Sequence, residues 1–330
     1  MSYVIGVDVG GTNIVCGLMD RELNLLRKVK RPTEARRGAA DILERIAGTI
    51  DELLERENAG RADLVAVGVG NPGFVDPVRG VSLFSANLKW ENVPVAETLS
   101  GLIGGVPVFV DNDVRMYVYG EAVRGAGRGF DHVMGITLGT GIAAAMVNRG
   151  RLYYGGGFLA GEIGHVPLPG EDALCGCGMR GCLETIASAT GIARIAREKL
   201  AQGEPSVLHA WFPGEKRGEI TAADVSRAYD AGDRLARDVM DYVGKSLARG
   251  LAAAVSLWSP DVIVIGGGAA NAGERLIRPL REALRPIVLP MYWNRLSIRL
   301  AEMNDDAGVV GSAAFALANV ADRNRTRIGH

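Results

Sequence analysis

Glu162-Ile-Gly-His165 and Cys175-Gly-Cys177-Gly-Met-Arg-Gly-Cys182-Leu-Glu184 bring one imidazole, three thiols and two carboxylates into a short stretch of chain. Three sulfurs and one nitrogen are the donor set of a tetrahedral structural zinc, with no position left for water. The bland alternative is that the thiols are small buried hydrophobes. A Cys-x-Cys pair with a third Cys close by fits metal ligation better. Glu162 and Glu184 each lie within three residues of a ligand, so a metal held by His165, Cys175, Cys177 and Cys182 would fix two acceptors for hydroxyl groups. A closed four-ligand site also argues against a zinc hydrolase, which needs an open coordination position.

A second polar group ends the apolar run Val106-Pro-Val-Phe-Val-Asp111-Asn112-Asp113. Carboxylates at such strand ends in α/β proteins sit where ligands bind, and they can accept a proton from a hydroxyl. Asp111 reads as a turn or cap residue. Asp113 reads either as a base or as the N-cap of the helix that follows, and the sequence leaves both open.

Positioning these groups takes a repeated scaffold. Tyr3 to Leu18 aligns without gaps with His132 to Val147, keeping glycines at Gly6/Gly135 and Gly10/Gly139. Each copy is a β-type run, a Gly/Thr turn and a second apolar run, which predicts a hairpin whose tip exposes backbone N–H groups. Either tip alone could be an ordinary tight turn. Two together point to phosphate, because glycine lets the backbone approach an anion closely. Between them the pattern predicts a helix over 39–58, a buried strand over 63–70, a turn at Asn71-Pro-Gly-Phe-Val-Asp-Pro, and a helix over 117–124. Further on, 187–200 and 222–258 read as largely helical, with Thr221-Ala-Ala-Asp224 as a capping box. Asp261-Val-Ile-Val-Ile-Gly266-Gly267-Gly268 is a buried strand running into a third glycine turn, and a small-residue helix over 305–320 closes the pattern.

The chain's 330 residues suffice for two lobes, and a net charge of −1 with scattered basic residues suggests neither nucleic acid nor an acidic membrane surface. No apolar run is long enough to span a bilayer, and Met1-Ser-Tyr-Val leads into a strand pattern without a signal-peptide core, so a cytoplasmic location is expected. Cys16, alone in an apolar run, reads as core. His132 and His209 read as surface or satisfied structural histidines.

At these motifs the chain resembles the ROK family of sugar kinases and repressors, within the actin, hexokinase and Hsp70-like superfamily of ATPases. Asp8-Val-Gly10-Gly11-Thr12-Asn13 is similar to the family's first phosphate loop, Gly139-Thr140-Gly141 to its second, and Gly266-Gly267-Gly268 to its adenosine-side turn. The Glu162, His165, Cys175, Cys177, Cys182 and Glu184 pattern resembles the family signature and zinc site. Ser85-Ala-Asn87-Leu-Lys-Trp90 looks like the sugar loop of its glucokinases. The resemblance implies an α/β, two-lobed actin-like ATPase (ribonuclease H-like) fold with duplicated β-hairpin phosphate loops and a zinc-stabilised loop. The expected division is a small lobe, 1–116, joined by the helix 305–320, and a large lobe, 117–304.

The resemblance further implies ATP-dependent phosphorylation of a hexose at its 6-hydroxyl, with glucose favoured and fructose, mannose or an N-acetylated amino sugar as alternatives. Asp113 would be the catalytic base. Asn87, Asn112, Asp113, Glu162, His165 and Glu184 would hold the sugar, with His165 using one ring nitrogen for zinc and the other for a hydroxyl. Asp8 would orient the magnesium of MgATP through water. A homo-oligomer, dimer or tetramer, is expected by the same likeness. The family's repressors carry a helix-turn-helix segment before the first hairpin, and with that hairpin starting at Tyr3 a DNA-binding repressor is not expected. Two positions depart from the pattern: Val114-Arg115-Met116-Tyr117 stands where many relatives have small residues and another Asn, and Phe74 is either a cleft residue or a hydrophobic plug.

Overall fold

The structure is a computed structural model and describes residues 2–328. In the first part of the chain the strands are β1 (Tyr3–Val9), β2 (Asn13–Met19), β3 (Leu25–Pro32), β4 (Leu64–Asn71), β5 (Phe74–Asp76), β6 (Val81–Ser85), β7 (Trp90–Val93) and β8 (Val108–Asn112). Helices α1 (Gly38–Glu55), α2 (Val95–Leu102) and α3 (Asp113–Arg124) lie among them. Strands β9 (His132–Leu138), β10 (Ile142–Asn148) and β11 (Arg151–Tyr153) follow. Helices α4 (Glu184–Ala187), α5 (Ala189–Ala201), α6 (Leu208–Trp211), α7 (Ala222–Asp230) and α8 (Arg234–Trp258) lead to β12 (Val262–Gly266). Then come α9 (Glu274–Leu284), α10 (Pro290–Trp293), β13 (Ser297–Leu300) and α11 (Ala307–Ile328).

The duplication read in the sequence is a duplication of sheets. The strands β1, β2, β9 and β10 are seven residues each, and the tips Gly10–Thr12 and Gly139–Gly141 occupy the same place in the two hairpins. One five-stranded sheet runs β3-β2-β1-β4-β8 and the other β11-β10-β9-β12-β13, the same topology twice. In each, an antiparallel hairpin is extended by parallel strands, β4 beside β1 and β12 beside β9. Such parallel strands are covered on both faces, which explains the continuous apolar runs of β4 and β12.

The chain divides into two compact units: 1–129 with 145–160 and 302–330, and 130–144 with 161–301. The expected boundary at 116/117 falls inside α3, which belongs whole to the first unit. The reason is packing: α3 lies against α11, and both approach at backbone distance. A Cβ on Gly311 would sit 1.7 Å from the Met116 carbonyl oxygen, and one on Gly68 of β4 would sit 1.8 Å from that of Ser312. Small residues on α11 are what permit this approach to sheet and helix together. On the other face of this sheet, α1 buries Ile42, Leu43, Ile46, Ile50, Leu53 and Leu54, spaced as one helical stripe. They meet Ile5, Val7, Leu18 and the buried Cys16, each large side chain adding roughly 1.5–3 kcal/mol of apolar burial.

In the second unit α7 starts on the predicted capping box, with Thr221 and Asp224 exchanging hydrogen bonds. The 222–258 helical stretch is broken once, at Ala231–Asp233, where Gly232 takes a φ of +84° and Asp233 caps α8 by accepting from the Ala236 amide. Among the described residues no helix is long and apolar enough to cross a membrane.

Candidate functional site

At the first hairpin tip the carbonyl groups of Gly10 and Thr12 are taken up by the fold. Thr33 Oγ1 donates to the Gly10 oxygen at 2.6 Å and the Thr33 amide to the Thr12 oxygen at 2.8 Å. Among the described residues the amides of Gly11 and Thr12 have no protein acceptor. Unpaired donors without competing carbonyls make a tip that attracts anions. A cavity of about 440 Å³ opens here, lined by Asp8, Gly10, Gly11, Thr12 and Asn13, with Lys28 and Lys30 on its wall. Cross-strand pairing puts Asp8, Val15 and Lys30 abreast on one sheet face. Asp8 is a poor anion there: burial, and then the nearby charge of Asp113, push its carboxyl up to about 7.

The second tip repeats the device. The Ala189 amide donates to the Gly139 oxygen at 2.8 Å and Thr190 Oγ1 to the Thr140 oxygen at 2.9 Å. The third glycine turn backs onto it. Gly267 takes a φ of +85°, and a Cβ there would lie 2.7 Å from the Leu138 carbonyl oxygen, so only glycine fits without displacement. Gly139, Thr140, Gly141, Gly266, Gly267 and Gly268 are thereby gathered in the second unit. Asp8, Gly10, Gly11, Thr12 and Asn13 are gathered in the first.

At the β8 to α3 junction the structure resolves what the sequence left open. Asn112, not Asp113, is the N-cap: its Oδ1 accepts from the Arg115 amide at 3.1 Å. Asp113 is the first residue of α3, and the hydrogen bonds from the Val114 amide and Asn112 Nδ2 both fall on its Oδ1. Burial raises its pKa above the usual carboxylate range. Asp111 is neither turn nor cap residue. It is fully buried, pairs with Arg115 at 3.1 Å and accepts from the Tyr154 hydroxyl at 2.7 Å. Its oxygens are committed, which leaves Asp113 as the carboxylate with an oxygen to spare. Asn87 is exposed in the turn between β6 and β7, where a Cβ on Gly11 would touch its Cβ at 3.4 Å. Asn112 Nδ2 also reaches the Gly73 oxygen at 3.1 Å. Phe74 beyond it is not a plug: it is 47% exposed and pairs across strands with Phe84.

In the second unit the ligand atoms of His165, Cys175, Cys177 and Cys182 all lie within 4.8 Å of one another. Cys177 and Cys182 sulfurs are 3.7 Å apart, and Cys175 Sγ is 3.8 Å from His165 Nδ1. A zinc tetrahedron with bonds of about 2.3 Å has edges of about 3.8 Å, so the donor set fits the ion. With Nδ1 turned to the thiols, His165 Nε2 lies 3.7 Å from Glu162 Oε2 and is available to a ligand. Glu184 has a further task. Its Oε2 accepts from the Ile142 amide at 2.9 Å, and a Cβ on Gly141 would come within 2.4 Å of that oxygen, so Glu184 also supports the second tip. His209 Nε2 bonds the Glu204 carbonyl at 3.0 Å and stays structural.

Sequence reasoning missed Thr33 and Thr190, which silence the tip carbonyls, and the partners of Asp111. A threonine's local signal does not reveal a bond made to a turn distant in sequence. Tyr154 and Arg115 lie 39 residues apart, so only the fold brings them together.

The ROK family profile matches residues 4–319. A glucokinase from Thermotoga maritima is 38% identical over 94% of this chain and 96% of its own length. The crystal structure of a ROK family glucokinase from Streptomyces griseus, in complex with glucose and AMPPNP, superposes with a TM-score of 0.77 at 33% identity, covering 96% of this chain and all of that one. The DNA-binding transcriptional repressor Mlc of Escherichia coli is 30% identical over 82% of this chain, which spans 65% of that protein. With the profile covering nearly the whole chain, and with paired glycine hairpin tips and the Cys/His cluster in one α/β architecture, the chain belongs to the ROK family.

Proposed function

We propose that this protein transfers the γ-phosphoryl group of MgATP to the 6-hydroxyl of glucose. The observation that carries the reading is the junction at Asn112–Asp113: a carboxylate with one uncommitted oxygen, beside Asp8 and a hairpin tip whose amides lack acceptors. Asp113 accepts the proton of the hydroxyl as its oxygen forms a bond to the γ-phosphorus, and the bond from that phosphorus to the bridging oxygen breaks to release ADP. The free amides of Gly11 and Thr12, with Lys30 beside them, counter the phosphate charge. Asp8 would orient the waters of the magnesium that accompanies the nucleotide. Zinc, when bound, supplies a rigid cross-link. The protein's own His165, Glu162 and Glu184 then meet the sugar hydroxyls from fixed positions.

Asn87, Asn112, Asp113, Glu162, His165 and Glu184 include no lysine or arginine, which suits a neutral aldohexose over an acidic or already phosphorylated one. The primary 6-hydroxyl is the least hindered acceptor. The named activity of the Thermotoga relative and the glucose and AMPPNP in the Streptomyces structure support the same choice. Asp113→Asn keeps the shape and removes the base, so turnover falls by about two or more orders of magnitude while the sugar dissociation constant changes far less. Retention of parental turnover would refute the assignment of Asp113.

A further inference from the structure

We infer that Arg115, Asp111 and Tyr154 form a brace that aims Asp113, making Arg115 a positioning residue for phosphoryl transfer; this rests on the proposed role of Asp113. Arg115 is bonded at both of its ends across the base. Its amide donates to Asn112 Oδ1 at 3.1 Å, and its Nη1 donates to Asp111 Oδ1 at 3.1 Å. Asp113 sits inside that span. The same Asp111 carboxylate accepts the Asn112 amide at 2.7 Å on Oδ1 and the Tyr154 hydroxyl at 2.7 Å on Oδ2. The other guanidinium nitrogen, Nη2, donates to the Phe158 carbonyl, and the guanidinium carbon lies 5.2 Å from the centre of the Tyr154 ring. Phe158 in turn meets that ring edge-on and holds a φ of +62°, a conformation a bulky residue keeps only when its surroundings enforce it.

Stability alone is a poor reason for this arrangement. Asp111 is fully buried and Arg115 is 7% exposed, so both charges have been taken out of water. A buried ion pair is often no more stable than apolar residues of the same volume, whereas it does hold its members in one geometry. The geometry being held is that of the two residues between the pair's members and the base. A base displaced by about 1 Å can lose about 100-fold in rate.

The test separates aim from stability. In Asp111→Leu/Arg115→Met the charges go together and packing volume is kept; the Asn112 amide and the Tyr154 hydroxyl lose their acceptor at about 1–3 kcal/mol each, so the melting temperature should fall moderately while the fold persists at the assay temperature. Turnover should still fall about 10- to 100-fold, with the sugar dissociation constant changed less than about threefold. Tyr154→Phe removes one hydrogen bond and keeps the ring, and should lower turnover about three- to tenfold. Arg115→Lys keeps the charge without the planar fork, and its rate should lie between those of the parent and Arg115→Met. Parental turnover in a stable double variant, beside an inactive Asp113→Asn, overturns the brace and leaves the base intact. Should the double variant fail to fold, parental turnover in Tyr154→Phe overturns it alone. Parental turnover in Asp113→Asn removes the base, and the brace's purpose with it.

Discussion

Asp8 and Asp113 work against each other as free carboxylates, and the conflict is measurable. With its carboxyl pushed up to about 7, folded Asp8 holds a proton that the unfolded chain gives up near pH 4. A raised carboxyl contributes stability that is fully present below the unfolded value and is lost as pH rises through the folded one. Asp8→Asn should therefore raise the melting temperature of the nucleotide-free protein at about pH 8 and flatten its change between about pH 4 and 7, as followed by calorimetry. An unchanged slope would mean that Asp8 is not the group that titrates. Asp113 is raised by burial too, so kcat/KM for the sugar should fall on the acid side at a pH above the usual carboxylate range. At this scale the sequence was half legible. Asp111, Asn112 and Asp113 can each cap a helix or end a strand by residue type. Only the bonds made to Arg115 and Tyr154 tell the cap, Asn112, from the buried ion-pair partner, Asp111.

Elements carry their own signatures where the determinants are local. The hairpins were readable because alternation and glycine spacing are contained within each run, and the α7 capping box because its partners are three residues apart. The start of α3 was read four residues late, since its cap hides among equivalent polar neighbours. The break before α8 lay in plain sight as Gly232-Asp233, outweighed by helical periodicity on both sides. The cysteine loop is the element most exposed to test. Cys177 is its exposed cysteine, so Cys177→Ser disturbs little packing. The parent should carry about one zinc per chain by elemental analysis, and the variant well under half. Sugar KM in the variant should rise about tenfold or more as His165 and Glu184 loosen. The small-residue helix α11 gives a second test. Gly311→Ala drives a methyl into the Met116 carbonyl and should cost more than about 3 kcal/mol or abolish folding, as measured by denaturant titration.

Across the whole molecule, one sheet topology is used twice, each copy with its own glycine hairpin tip. The first unit carries Asn87, Asn112 and Asp113; the second carries Glu162, His165 and Glu184. The return of the last helix to the first unit was expected, whereas that of 145–160 was not, because it rests on contacts distant in sequence. Sugar choice also belongs to this scale, since it depends on several hydroxyls being paired at once. Each hydroxyl left unpaired should cost about 1–3 kcal/mol, so glucose should exceed its epimers by tens-fold or more in specificity constant. The most direct measurement is a coupled ADP-release assay with MgATP across glucose, mannose, fructose and N-acetylmannosamine, with the product identified by NMR. Glucose should give the highest kcat/KM and yield glucose 6-phosphate. No transfer to glucose, or a faster reaction with fructose or N-acetylmannosamine, would contradict the account.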